Sequence, residues 1–375
     1  MKGHIISLLL LISLLLTGCI EAEEIEQLGL INARGVDIGE DNLLDTTLIV
    51  FQFSAQSEEN TKIIPGRGKT IKGAMEDAER ASVFKLAPGK NKITLFGREV
   101  AEKGIIPLLD TQDRDARIPD LMYLAVSDTT AKETLTINEK NIPVDIGQFL
   151  RELIENHSRD HNIPRKTLQD FLRIYYDIGQ DNVLPLFELR DGIPQLNAIA
   201  VFKGDQVVGE LTNEESVLIN LMDRTVKEQL VEFSLPLEPF KQYLEKREEK
   251  EDVDMTVLIQ KGNSRTKLID EENLVFQTET DLELRLVEQN AGIVLKDNHV
   301  IQLLEKKVEK KIKAEFEKLL NKLQKLESDA FGYGRYYKAS LKGKDTTREE
   351  WREKFPEIDV KFNVNAEIMR HGTTE

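Results

Sequence analysis

Hydrophobic and polar residues follow two periods along this chain. Over Ile301–Leu326, apolar residues recur every three or four positions, which predicts one long amphipathic helix over residues 301–327 with Lys and Glu on its outer face. Over Val360–Ile368, apolar and polar residues alternate, which predicts a strand with one buried face. The helical period also marks residues 70–84, 147–156 and 167–176.

Short apolar runs predict the remaining strands. They cover residues 48–53, 93–96, 123–126, 255–260 and 273–279, and a half-buried strand over 282–286 follows from leucines that alternate with Glu283 and Arg285. Residues 198–202 and 206–211 flank Lys203-Gly204-Asp205, which predicts a tight hairpin. We interpret Ser54–Lys69 as a polar loop, and residues 181–195, with their Asp, Pro and Gly, as a boundary between domains.

These elements predict a mixed α/β (α+β) protein of three domains with mixed sheets and packed helices. Residues 1–18 form a signal peptide, residues 19–180 an N-terminal mixed α/β domain, and residues 181–212 a boundary and hairpin in a small middle domain. Residues 213–375 form a C-terminal mixed α/β domain that contains the long helix. The length of 375 residues suits such a division, since domains typically hold about 100–200 residues.

The first residues have the order of an export signal. A basic start at Lys2 precedes an apolar run that is too short for a permanent span, and acidic residues follow. Leu16, Thr17, Gly18 and Cys19 match the bacterial lipobox, and Cys19 is the only cysteine of the chain. We expect diacylglycerol on its thiol and a further acyl chain such as palmitate, since two chains hold a protein stably on a bilayer. The alternative is an ordinary signal peptide with a cysteine by chance.

Charge narrows the range of partners. The formal net charge is −16, which disfavours nucleic acid because phosphate binding requires Lys and Arg. A single cysteine also excludes an intrachain disulfide.

No motif in the chain predicts catalysis, a metal or another cofactor. Pro65–Thr70 resembles part of a phosphate loop, but Ile63 stands where the pattern needs glycine, so a loop that caps the next helix is the better interpretation. His157 and His161 have the spacing of a zinc pair on a helix, yet Ser158 stands where a metalloprotease has glutamate. Histidines near a helix end explain that pair more simply.

Several segments together resemble the spore germination lipoproteins, the C subunits of nutrient germinant receptors in spore-forming bacteria. The resemblance covers nearly the whole chain after the lipobox and departs from the family at Ile20-Glu21, where Trp-Asp is usual. The matching segments are Glu24-Ile25-Glu26, Gly68 and Thr70–Ala74, Asn91–Glu99, Ala101, Gly104–Asp110, Asp113–Asp115 and Arg117, Ala200–Asp205 and Gly209, and Asp329, Phe331-Gly332, Trp351 and Val360–Ile368.

The resemblance implies three mixed α/β domains held by lipid at the outer face of the inner spore membrane. It also implies assembly with membrane-embedded A- and B-type receptor subunits, a requirement for the germination response, and no enzymatic activity. Two other classes stay open, namely a lipid-anchored solute receptor of a transporter and, less favoured, an exported metal-dependent hydrolase.

One aromatic segment follows the long helix. Phe331, Tyr333, Tyr336 and Tyr337 are the candidate interaction surface, because aromatic residues at a helix end either cap the core or contact a partner.

Overall fold

The computed structural model describes residues 27–52, 61–137, 142–159, 163–246, 249–341 and 346–369. Over these residues the protein has a mixed α+β fold with a nine-stranded and a four-stranded sheet. The strands are β1 (Leu28–Ile38), β2 (Leu44–Gln52), β3 (Thr61–Gly68), β4 (Lys85–Ala87), β5 (Ile93–Phe96), β6 (Tyr123–Ser127), β7 (Val183–Arg190), β8 (Ile193–Lys203), β9 (Gln206–Thr212), β10 (Gln229–Pro236), β11 (Asp252–Asp270), β12 (Val275–Gln289) and β13 (Asp359–Ile368). The helices are α1 (Ile71–Arg80), α2 (Arg98–Lys103), α3 (Ile106–Asp113), α4 (Ala131–Leu135), α5 (Ile146–Arg159), α6 (Leu168–Tyr176), α7 (Asn213–Asp223), α8 (Asn298–Lys325), α9 (Tyr333–Ser340) and α10 (Arg348–Lys354).

The nine-stranded sheet has a parallel centre and antiparallel borders. Its order is β3-β2-β1-β5-β6-β7-β8-β9, with β4 beside β1. Strands β1, β5, β6 and β7 pair in parallel, whereas β3-β2-β1 and β7-β8-β9 pair antiparallel. A parallel centre needs cover on both faces, and helices supply it.

Alternate residues of the central strands point to opposite faces of this sheet. Phe96 of β5 and Leu124 of β6 pack with side chains of α1, α2, α3 and α6, namely Ile71, Val100, Leu109 and Phe171. Their neighbours Leu95 and Ala125 point the other way and pack with side chains of α4 and α5, namely Leu135, Ile146, Leu150 and Ile154. The period of two along each strand therefore divides one sheet between two cores.

The second sheet has the order β10-β11-β12-β13, and α8 covers it. After β12 the chain returns through α8 and places β13 parallel to β12 at the sheet edge. The buried stripe of α8 follows the predicted three- and four-residue steps and consists of Val300, Ile301, Leu304, Val308, Phe316, Leu319, Leu320 and Leu323. Two glutamates of α8 also bind the β13 backbone, since Ala366 N–H donates to Glu309 (3.1 Å) and Ile368 N–H donates to Glu305 (2.9 Å).

One hydrophobic cluster joins the two sheets. It contains Ile199 of β8 in the first sheet, Leu284 of β12 in the second, and Phe316 of α8. The two halves of the described chain therefore share a continuous core. Separating the halves would expose apolar surface to water, which is unfavourable.

Most of the predicted elements are confirmed. The structure contains α1, α5, α6, the hairpin of β8 and β9, the long helix α8 and the alternating strand β13. The strand predictions over 255–260, 273–279 and 282–286 are confirmed as parts of two longer strands, β11 and β12.

One interpretation is wrong. Residues 61–68 within the predicted polar loop form strand β3, paired along its length with β2. Residues 181–195, interpreted as a boundary, contain β7 and the start of β8, with Asp191-Gly192 as the turn between these strands. Because β8 and β9 belong to the nine-stranded sheet, residues 181–212 do not form a separate sheet. The domain bounds themselves stay a prediction.

Glycine lets α1 lie directly on β3. A Cβ atom on Gly66 would stand 2.1 Å from the carbonyl oxygen of Ala74, and one on Gly68 would stand 2.4 Å from the Ala74 nitrogen. These glycines therefore serve helix packing, and Thr70 caps α1 by accepting the Gly73 N–H at 3.0 Å. The expected capping role of this segment is confirmed, although it belongs to a strand and not to a loop.

We predict that Gly66→Ala lowers the free energy of unfolding by about 1–3 kcal/mol, because α1 must move away from β3. Urea denaturation of the purified chain measures this change. Gly89→Ala is the matched control, since its Cβ would meet only the Arg117 carbonyl oxygen at 3.4 Å. Equal stability of the two variants would contradict the close packing of α1.

Candidate functional site

The aromatic segment after α8 turns inward between the two sheets. Phe331 and Tyr333 are 1% and 0% exposed, and the Tyr333 hydroxyl lies 3.1 Å from Thr278 Oγ1 of β12. These two side chains are therefore core residues, and the prediction that they belong to an interaction surface is wrong. Tyr333, the first residue of α9, packs on Phe276 of β12 with ring centroids 5.1 Å apart, and Phe331 packs on Phe316 of α8 at 6.0 Å.

The other two aromatic residues of the segment lie nearer the surface. Tyr336 and Tyr337 are half-buried on α9, and the Tyr337 ring stacks on Trp351 of α10 with centroids 5.2 Å apart. Contact between these two tyrosines and a partner stays a prediction.

Asp329 organises this segment from within the core. One carboxylate oxygen accepts the N–H groups of Gly332 (2.8 Å) and Tyr333 (3.0 Å). The other accepts the Gly334 N–H (2.8 Å) and the Trp351 indole N–H (2.9 Å). A single side chain thus fixes the start of α9 and the position of α10.

The electrostatics of Asp329 reflect this setting. Burial raises the pKa of the Asp329 carboxyl to about 7, and the nearby Asp181 adds to the increase. The N–H groups of Gly334, Tyr333 and Trp351 oppose that shift in pKa because they stabilise the charged form.

Asp181 connects this arrangement to the first sheet. Its N–H donates to the Asp329 carbonyl oxygen (3.0 Å), and its carboxylate accepts the Asp329 N–H (3.0 Å). The same carboxylate accepts the Gly204 N–H of the β8–β9 turn at 2.8 Å and lies 3.4 Å from Arg352 of α10. We call Asp181, Gly204, Asp329, Trp351 and Arg352 the aspartate joint.

Two glycines allow the backbones to meet beside the aspartate joint. A Cβ on Gly179, where φ is +103°, would stand 2.1 Å from the Gly334 carbonyl carbon. A Cβ on Gly334 would stand 2.3 Å from the Gly179 Cα. The Arg335 N–H donates to the Gly179 carbonyl oxygen at 3.1 Å, so the contact is also hydrogen-bonded. No larger residue fits at either position without separating the two segments.

The structure gives no support to a metal site at the histidine pair. His157 lies half-buried on α5 with its Nδ1 atom unpaired, while His161 lies outside the described residues. Among the residues that are described, no three His, Cys, Asp or Glu side chains group closely enough to hold a metal ion. The lipobox and Cys19 also lie outside that part of the chain.

Comparisons with known proteins match both halves of the chain. A family model described as the spore germination protein N-terminal domain matches residues 21–189, and one described as spore germination B3/GerAC like, C-terminal, matches residues 197–372. The chain belongs to the germinant receptor C-subunit family. The two matched regions adjoin at the β7–β8 hairpin, inside the first sheet.

Individual relatives agree with this family assignment over nearly their whole length. The spore germination protein GerQC of Bacillus cereus is 22% identical over 98% of this chain and 99% of its own. The putative spore germination protein YfkR of Bacillus subtilis (strain 168) is 20% identical over 94% and 92%. The crystal structure of the GerBC protein has the same fold, with a TM-score of 0.52, 17% identity, and coverage of 90% of this chain and 97% of that one.

The aspartate joint unites segments that carried the family resemblance separately. Gly204 belongs to the middle segment, while Asp329 and Trp351 belong to the C-terminal one. The sequence around Asp329 carries one signal of its local hydrogen bonds. In Asp329-Ala330-Phe331-Gly332-Tyr333-Gly334, a lone aspartate precedes closely spaced glycines, a pattern that suits backbone N–H groups turned toward one carboxylate.

We predict that Asp329→Asn lowers the free energy of unfolding by about 3 kcal/mol, because its amide group would direct N–H against the donors of Gly334 and Trp351. Urea denaturation measures the change. Asp191→Asn is the matched control, since Asp191 is exposed in the β7–β8 turn with φ of +53°, which asparagine tolerates. A loss no larger than that of the control would refute the structural role of Asp329.

Proposed function

We propose that this protein is the lipid-anchored C subunit of a nutrient germinant receptor and acts without catalysis. In this proposal, acylated Cys19 holds it at the outer face of the inner spore membrane, where it docks onto A- and B-type subunits. The observation that carries the proposal is the family match across both halves of the chain. The lipobox at Leu16–Cys19 supports the anchor. Within the described residues, no helix is both long and apolar enough to cross a bilayer.

A short tether would place the folded body close to the lipid. Residues 20–27 separate Cys19 from the start of β1. At about 3.3–3.6 Å per extended residue, these eight residues reach at most about 30 Å. Confinement to such a layer raises the effective concentration of the body for partners in the same membrane. The anchor would thereby promote assembly without adding any contact to the interface.

The strand ends near the tether offer a surface that suits this orientation. Leu28 at the start of β1 pairs with Lys85 of β4, and the neighbouring Val83 is 89% exposed. Lys62 of β3 lies over the Phe84 ring at 5.5 Å. An exposed apolar side chain beside basic ones suits the headgroup layer of anionic lipids. We therefore propose that this end of the first sheet faces the membrane.

We predict that Cys19→Ala releases the protein from the spore membrane fraction, because the thiol that carries the lipid is lost. The germination response should fall by about tenfold or more once the effective concentration is lost. Immunoblots of fractions and optical density after germinant addition measure the two effects, with Ile20→Ala as control. Unchanged membrane retention of Cys19→Ala would count against the anchor.

We predict that a polarity-sensitive dye on Val83→Cys shifts its emission to the blue in anionic vesicles that hold the acylated protein. Acylation consumes the native thiol, so the introduced cysteine is the one labelled. Leu230→Cys on β10 of the second sheet is the matched control, since Leu230 is also exposed, at 55%. A blue shift at position 230 and none at position 83 would reverse the proposed orientation.

A further inference from the structure

A buried arginine stands in the middle of the first sheet. Arg34 belongs to β1 and pairs with Leu48 of β2 and Thr94 of β5, yet only 1% of the residue is exposed. Its guanidinium points to the sheet face that α1 and α3 cover, because its hydrogen bonds go to those helices. Burial of a charged group is costly unless an opposite charge or several hydrogen bonds compensate it.

The partners of this guanidinium within the protein are neutral and few. One N–H group donates to Gln112 Oε1 at 3.1 Å, and another faces the Met75 sulfur at 3.9 Å. Among the residues described, no carboxylate lies within 4.0 Å of Arg34. Burial lowers the pKa of Arg34 to about 10 and the negative charge of Asp115, which acts from beyond 4.0 Å, opposes that shift, so Arg34 still carries its charge near neutral pH. An arginine has five N–H donors, which leaves capacity for a further acceptor.

Arg34 borders a cavity. A space of about 700 Å³ opens between α1, α3 and the segment that follows α3, and Arg34 forms part of its wall. Its volume falls within the range of about 300–1,000 Å³ of small-molecule sites. The wall also carries Lys72, Arg114 and Arg117, all exposed toward solvent.

Positive charge prevails in this cavity although the chain as a whole has a net charge of −16. Four basic side chains line it against two acidic ones, Asp110 and Asp115, a local balance of +2 (4 − 2). Both carboxylates already have partners. Asp115 binds the guanidinium of Arg117 at 2.8 and 2.6 Å, and Asp110 accepts the Tyr176 hydroxyl at 2.7 Å. The Arg117 guanidinium accordingly holds the pKa of Asp115 down at about 2.

We propose that this cavity binds a small organic anion whose carboxylate or phosphate group contacts the Arg34 guanidinium. The planar fork of arginine matches two oxygens of either group, and Lys72 and Arg114 would attract the anion at the entrance. The bound anion would compensate a buried charge whose hydrogen-bond partners are neutral and whose nearby carboxylate, Asp115, is already bound to Arg117. This inference goes beyond the proposed function, since it depends neither on the anchor nor on the receptor partners.

Calorimetric titration of the full chain in neutral detergent tests the site at low salt. The probes are inorganic phosphate, succinate and the neutral succinamide, each up to about 10 mM, a range that detects millimolar affinity. We expect phosphate or succinate to bind and to raise the melting temperature. The anion that binds more tightly assigns the ligand class. Failure of both anions to bind, or equal binding of succinamide, would overturn the proposal.

Variants locate the binding. Arg34→Met keeps the length of the side chain and removes its charge, so affinity should fall by about tenfold or more, while Arg34→Lys retains an intermediate affinity. Arg80→Met is the matched control, because the Arg80 side chain is 70% exposed on α1 and does not line the cavity. Anion binding that Arg34→Met leaves unchanged would place the anion elsewhere and refute the site.

A second variant keeps the test decisive if Arg34→Met fails to fold. Lys72→Met with Arg114→Met alters two exposed positions at the entrance and leaves Arg34 in place. We expect this pair to weaken anion binding several-fold and to leave the melting temperature without anion close to that of the wild type. Unchanged affinity in this double variant would refute the proposed entrance and, with it, the site.

Discussion

The reciprocal hydrogen bonds between Asp181 and Asp329 are the interaction on which the rest of the structure depends. Each residue donates its backbone N–H to an oxygen of the other, and their carboxylates then reach Gly204 on one side and the start of α9 on the other. Two carboxylates can remain in the core because N–H donors surround them. The hydrophobic cluster shared by the sheets contributes adhesion, whereas this polar contact fixes how the halves fit together.

The sequence predicts those parts of the fold in which the periodicity of a segment agrees with its burial. Helix α8 buries a single apolar stripe against the one sheet that it covers, and β13 has one buried and one exposed face. Strand β1 was missed because it is covered on both faces and buries Asn32, Arg34 and Asp37, so neither period appears. Strand β3 was missed because Pro65, Gly66 and Gly68 are typical of loops.

The candidate site was harder to predict than the fold for a different reason. Asp181 and Asp329 are 148 positions apart, and no local pattern reports that they meet. The sequence identifies the aromatic residues near Asp329, but it does not predict which of them are buried, because a core cap and a docking surface have the same composition. Arg34 resembles any arginine in the sequence, and only its burial with neutral hydrogen-bond partners sets it apart.

The edges of the two sheets bear on how copies of this protein behave beside one another. An open strand edge offers unpaired backbone groups to a neighbouring chain, and the membrane anchor that we propose would make such encounters frequent. At the β3 edge, Pro65 has no N–H to offer, and Arg67 forms an ion pair with Asp45 (2.6 Å). At the β13 edge, Glu309 and Glu305 of α8 accept the backbone N–H groups of Ala366 and Ile368, so these donors are already paired. Pairing between copies through the β3 edge or the β13 edge is therefore disfavoured, which leaves β9 and β10 as the edge strands of the two described sheets without such protection.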